Sequence, residues 1–175
     1  MAHGMKPGRP SQPRLTQTAI LTEALVLLGD GDHALTLRAL AMLLNVTPMA
    51  IQHHIGTRDT LIRALADHVH APVTAPIEGP PHIRLRALLT AYAETTRAHP
   101  HLTLALFRIP GPLPQQAQRI TDALETLLTE TGLHAPAARL WRNILIDWAH
   151  GMALAQSPDD PAPALDALLA ALKTG

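Results

Sequence analysis

Between Thr36 and Arg58 the chain reads Thr-Leu-Arg-Ala-Leu-Ala-Met-Leu-Leu-Asn-Val-Thr-Pro-Met-Ala-Ile-Gln-His-His-Ile-Gly-Thr-Arg, a string with few solutions other than two short helices and a sharp turn. Thr36 has the hydroxyl to cap a helix, and Leu37, Leu40, Ala41 and Leu44 follow on one face at helical spacing. Asn45 tolerates the left-handed backbone that a tight turn demands. Val46 offers an apolar plug for the crevice between the helices, and Thr47-Pro48 is a cap followed by a first-turn proline. The expectation is a helix-turn-helix.

The second helix has to turn Ile51 and Ile55 inward, which leaves Pro48, Met49, Gln52 and His53 outside. Such a face suits the major groove of DNA, where Gln52 presents both an amide donor and an acceptor to adenine and His53 reaches a phosphate or a base edge. A third helix opens at Gly56-Thr57-Arg58-Asp59, with Thr57 as cap and Asp59 beside the positive end of the helix dipole. Arg38, Thr47 and Arg58 are the candidates for phosphate contacts.

From about Leu15 to Val69 the chain resembles the N-terminal domain of TetR-type transcriptional repressors. Members of that family place a Leu/Thr-x-Arg-x-Leu-Ala helix before a Gly-Val-Ser/Thr turn. A recognition helix ending in Leu-Tyr-x-His-Phe follows, and Lys or Arg opens the next helix. Here those positions are Leu35 to Ala41, Asn45-Val46-Thr47, Ile51-Gln52-His53-His54-Ile55, and Arg58. Asn45 replaces the usual glycine, and Gln52 stands where the family has a tyrosine that contacts the DNA backbone. His54 matches the family's histidine and is expected to pack or cap inside the head.

The resemblance implies an all-α protein with a helix-turn-helix head and a helical regulatory and dimerisation body. It further implies a double-stranded DNA operator, a small-molecule effector and a homodimer. The head spans residues 15–70 and the body residues 82–175, with a flexible basic arm over 1–14 and a proline-rich linker over 71–81. The linker, Ala-Pro-Val-Thr-Ala-Pro-Ile-Glu-Gly-Pro-Pro, has four prolines and cannot stay helical.

Overall charge is +0, which looks wrong for a nucleic-acid partner until its distribution is considered: Lys6, Arg9 and Arg14 lie in the arm with no acid among them. An arm of this kind can follow phosphates or enter the minor groove. At 47% hydrophobic residues a 175-residue chain can bury a sizeable core. No apolar run approaches the roughly 18 residues of a membrane span, and the N-terminus has no signal-peptide core. The expected location is cytoplasmic, without membrane association. Cys 0 excludes disulfides and thiolate metal sites.

Beyond the linker, Ile83, Leu85, Leu88, Leu89 and Tyr92 keep a helical period up to Pro100, and a short apolar piece runs from Leu102 to Ile109. Another helix spans Gln115 to Thr131 and ends at Gly132. A long one runs from Pro136 to Gln156, and a last one starts at Asp160-Pro161 with Leu165, Leu168, Leu169 and Leu172 on one stripe. The long helix is apolar over more of its circumference than one neighbour can cover. A second copy of the chain would cover it, giving a two-fold that matches a palindrome with half-sites about one helical turn of DNA apart. Its Trp148-Ala149-His150-Gly151 also resembles a Trp/Phe-x-His-Gly element of the same family.

Tyr92, Phe107, Trp141, Trp148 and His150 are candidates to line a small-molecule pocket, with Arg142, Asp147 or Arg108 as a polar anchor. The plainer role for each aromatic is core packing, since only four aromatic residues serve the whole chain. Among 11 histidines, His68-x-His70 and His99-Pro-His101 have ligand-like spacing, yet no cysteine or carboxylate joins either pair, so no metal and no cofactor is expected. No catalytic motif occurs, and the chain is not expected to be an enzyme. Two other classes compete: a helical interaction scaffold whose helix-turn-helix is structural, and a His-based metalloenzyme. The outward Gln52 and His53 and the basic arm weigh against the scaffold.

Overall fold

The computed structural model describes residues 15–156 and 159–172. Among them are nine helices and no strand. In order these are α1 (Gln17–Gly29), α2 (Leu37–Leu43), α3 (Pro48–Ile55), α4 (Arg58–His70), α5 (Pro81–Ala98), α6 (Pro100–Arg108), α7 (Gln115–Glu130), α8 (Ala135–Ala155) and α9 (Ala162–Ala171). The Lys6, Arg9 and Arg14 arm lies outside the described residues.

Each of the first four helices starts at a threonine whose hydroxyl accepts a backbone N–H that the helix itself leaves unpaired. Thr16 accepts from Ala19, Thr36 from Ala39, Thr47 from Ala50 and Thr57 from Thr60, at 3.0–3.2 Å. Prolines open α3, α5, α6 and α8 within the first two positions, where a missing N–H costs nothing. Pro100 therefore both stops α5 and starts α6, with only His99 between them. The last helix begins one residue later than Asp160-Pro161 suggests. Pro161 takes the cap position and Asp160 Oδ1 accepts from the Ala162 N–H at 3.0 Å.

Two apolar clusters form. The head core joins Ile20, Ala24 and Leu28 of α1, Leu40 of α2, Ile51 of α3 and Leu61, Ile62 and Leu65 of α4, all essentially inaccessible. The body core joins Leu85, Leu88 and Leu89 of α5, Ile120, Leu124 and Leu128 of α7, Leu145 and Ala149 of α8 and Leu165 of α9.

The division at the proline linker needs one correction. Leu102 and Ala105 of α6 belong to the head core, with Leu106 and Ile109 packed against it, although they lie far beyond residue 82. The chain crosses to the body along α5, and α6 then returns to the head. The two parts are also fastened around the linker. The Gln116 N–H at the start of α7 donates to Asp67 Oδ1 on α4 at 2.7 Å. Arg119 of α7 donates to the carbonyls of His70 and Val73 at 3.3 and 2.8 Å. Arg63 of α4 donates to the carbonyls of Pro110 and Pro112 in the α6–α7 loop. So α4 is held by both parts.

Candidate functional site

The helix-turn-helix is built as its residues dictate. Asn45 sits at φ 51, and the Val46 N–H reaches back to the Ala41 carbonyl at 3.0 Å, closing the turn between α2 and α3. Val46 is half-buried against the head core, and Ile51 is fully buried with Ile55 partly so. This leaves Pro48, Met49, Gln52 and His53 exposed along α3, with Met49 at 73% exposure. His54 is exposed too, its ring edge-on to His53 at 6.0 Å, so its expected packing role inside the head is corrected. Gly56 ends α3 at φ +83, where a Cβ would stand 2.8 Å from the Thr60 hydroxyl oxygen, and Thr57 starts α4 directly after it.

The expected phosphate contacts separate into free and engaged groups. Thr47 is exposed and caps α3, and Arg38 is exposed on α2 with no hydrogen-bond or ion-pair partner among the described residues. Arg58 is engaged within the head. Its Nε and Nη2 donate to the carbonyls of Leu35 and Asp32 at 2.9 Å each, and Nη2 also pairs with the Asp32 carboxylate. Arg108, a candidate ligand anchor, donates to the other oxygen of Asp32 at 3.1 Å. Asp32 thus gathers α4 and α6 against the α1–α2 loop.

A second feature lies where the head meets the body. Five helices, α4 to α8, surround a cavity of about 300 Å³ whose wall includes His70, Tyr92, Phe107, Arg142 and His150. Of the expected ligand residues, Tyr92, Phe107 and His150 come together there. Trp141, Asp147 and Trp148 do not. Trp141 packs half-buried against the body core and Asp147 is exposed on α8. Trp148 lines a separate recess of about 410 Å³ with Arg86, Glu94 and Arg97. The reason is helical phase: Arg142, Asn143, Ile146 and His150 recur at spacings of three and four on the side of α8 that faces the cavity, and Trp141, Asp147 and Trp148 fall on its other sides.

Four cavity rings are linked. Tyr92 Oη and His150 Nε2 share a hydrogen bond of 2.7 Å, Phe107 meets His150 edge-on at 5.0 Å, and the His70 ring lies 5.7 Å from Tyr92. Burial is the main cause that lowers both histidines. For His70 the bond to Ala66 and the charge of Asp67 raise it while His99 lowers it, and for His150 Asp147 raises it while His70 lowers it. Burial also pushes the Tyr92 phenol up to about 12. The rings are therefore uncharged near neutrality. Arg142 is tied to the Glu125 carboxylate and, through Nε and Nη2, to Asn143 Oδ1 at 3.1 and 2.9 Å.

His70 is the cavity residue that sequence reasoning placed elsewhere. Its spacing from His68 reads as a ligand pair, but His68 is exposed while His70 is 6% exposed. The helical run of Leu61, Ile62, Leu65 and Val69 is the signal that puts position 70 on an inward side. Among the described residues no three His, Asp or Glu side chains gather as a metal site, and no helix is long and apolar enough to cross a membrane.

The sequence matches no family model and no curated protein. Solved structures do match. BioQ with its natural double-stranded DNA operator superposes with a TM-score of 0.77 at 21% identity, covering 93% of this chain and all of that one. The Streptomyces coelicolor TetR family protein ActR in complex with actinorhodin gives 0.71 at 27% identity, over 83% of this chain and 70% of that one. A TetR variant from Acinetobacter baumannii in complex with minocycline gives 0.69 at 21% identity, over 92% and 94%. The helix order, the exposed α3 and the near-complete overlap lead to one conclusion: this chain has the fold of the TetR-family regulators.

Proposed function

We propose that this chain is a ligand-responsive transcriptional regulator, a homodimer that binds a palindromic DNA operator through α3 and is released by a small molecule in the α4–α8 cavity. The observation that carries the reading is the outward face of α3. Pro48, Met49, Gln52 and His53 stand exposed on a helix whose other side is anchored by Ile51, which is how a groove-reading helix is presented. A structural helix-turn-helix would have no need of that face. The operator and ligand complexes of proteins with this fold support both halves of the proposal.

In this mechanism α3 lies in the major groove, Gln52 reads an adenine edge, Met49 lies against bases, and His53 reaches a base edge or a phosphate. Arg38 and Thr47 hold the flanking phosphates, and Arg58 keeps the α1–α2 loop and α4 in register. A second copy covers the exposed apolar side chains of α8, where Leu140, Ile144 and Leu154 are 60%, 37% and 40% exposed. A ligand between α4 and α8 changes where α4 rests, and α4 carries the head. The reading contains no chemical step.

Selection of bound sites from random DNA, followed by fluorescence anisotropy on the enriched sequence, tests the proposal. A palindrome with half-sites about one helical turn apart is expected, bound by two copies of the chain in sedimentation equilibrium. Enrichment of no sequence, or one chain per particle at micromolar concentration, defeats it.

A further inference from the structure

The cavity wall has a chemical bias that names the class of molecule it takes. This inference rests on the ligand-responsive reading above. His70 Nδ1 lies 2.9 Å from the Ala66 carbonyl, which only accepts, so the hydrogen of the neutral ring sits on Nδ1. That leaves Nε2 as a bare acceptor. Among the described residues it has no partner, and no buried side-chain nitrogen or oxygen is both sealed and unpaired, so Nε2 opens onto accessible space beside the ring. The ring itself forms part of the cavity wall.

Most other polar groups around the space already have partners. Thr96, Thr103 and Thr121 donate their hydroxyl hydrogens to the carbonyls of Tyr92, His99 and Ala117 at 2.7, 3.5 and 2.8 Å. Tyr92 and His150 share one hydrogen bond, which uses one of the two hydrogens that a phenol and a neutral imidazole carry. Arg142 bonds Asn143 through Nε and Nη2, and the Glu125 carboxylate at Nη1 compensates its charge. Glu125 and Asp67 hold Arg142 and the Gln116 N–H, so a cation finds no free carboxylate. Asn143 Nδ2 and one hydrogen of the Tyr92–His150 pair keep donor capacity, and His70 Nε2 is the ring acceptor that stands without a partner. Leu106, Phe107, Leu113, Ile120 and Ile146 make the rest of the wall apolar.

We propose that the cavity binds a small, neutral, largely apolar molecule carrying one hydrogen-bond donor of phenol or indole type, and that Nε2 of His70 accepts that donor. A volume of about 300 Å³ lies at the small end for ligand pockets and fits one or two fused rings. His70 is the last residue of α4, so the contact is made on the helix that carries the head.

The test compares three probes on the full-length protein by calorimetry: 1-naphthol, 1-methoxynaphthalene, which keeps the oxygen but has no donor, and 1-naphthoate, which is an anion. Binding of 1-naphthol at least tenfold tighter than the other two supports the proposal. Loss of that preference in His70→Phe, with part of it kept in His70→Gln, assigns it to the acceptor. Equal binding of 1-naphthol and its methyl ether overturns the proposal, as does the absence of binding by any probe or a preference that survives in folded His70→Phe. If His70→Phe does not fold, the wild-type comparison of the three probes decides. Operator release is measured separately with the same probes. A donor preference without release keeps the ligand class and removes the regulatory reading. Release by an aromatic anion keeps regulation and removes the ligand class.

Discussion

On the proposed reading Gln52 and Arg38 have opposite duties in the head. Between residues 15 and 70 there are three arginines against five carboxylates, and Arg58 and Arg63 are engaged internally. Arg38 is thus the guanidinium that the described head can offer to DNA. An arginine at a phosphate adds affinity without information, whereas an amide on a base edge adds discrimination worth about 1–3 kcal/mol. Arg38→Ala should weaken all sequences alike and make the salt dependence shallower by about one counterion. Gln52→Ala should instead flatten preference at one operator position. Anisotropy titrations over a salt series, on the selected site and on single-base variants, separate the two; a uniform loss from Gln52→Ala would make it a backbone contact. Most of this was legible at the level of the residue, because caps and the Asn45 turn are local chemistry. The Arg58 assignment was not, since its partners Asp32 and Leu35 lie more than twenty positions earlier in the chain.

In the proposed mechanism the element on which regulation depends is α4. Its outer turns carry Arg63 and Asp67, which take hold of the α6–α7 loop and the first amide of α7, while its inner side completes the head core. A ligand moves the head only if α4 and α7 move as linked bodies. Asp67→Ala leaves the Gln116 N–H without its carboxylate and should lower stability by about 1–2 kcal/mol. It should also reduce the ratio of operator affinities with and without ligand while leaving the ligand-free affinity nearly unchanged. An unaltered ratio in denaturant-checked, folded Asp67→Ala would place the coupling elsewhere. Helical periodicity gives α4 and its inward residues; it says nothing of α6 returning to the head, because that depends on which apolar face finds which partner.

At the scale of the whole molecule the buried histidines give stability a pH profile. Burial lowers His70, His99 and His150 below their ordinary value of 6.5. The unfolded chain therefore binds protons first as pH falls, and stability drops from about 6.5 downward until the folded rings themselves titrate. Above that window these groups contribute no slope. Asp166, whose carboxyl is held low by its hydrogen bond from Arg86, begins to matter only below 3.8 and on an exposed pair. Urea midpoints should fall between pH 7 and pH 5, and His70→Phe should flatten part of the decline. A constant midpoint across that interval would contradict the burial of these rings.

The amino-acid order alone determines that the chain is helical, where its caps and prolines start each helix, and which side of α3 must face outward. Those are matters of neighbouring hydrogen bonds and a period of 3.6 residues, settled within a few positions. Only the tertiary structure decides that α6 shares the head core, that Asp32 takes both Arg58 and Arg108, and that His70, Tyr92, Phe107 and His150 meet around one cavity while Trp141 and Trp148 do not. Those contacts join residues tens of positions apart. They follow from how finished helices pack, and no local pattern encodes that.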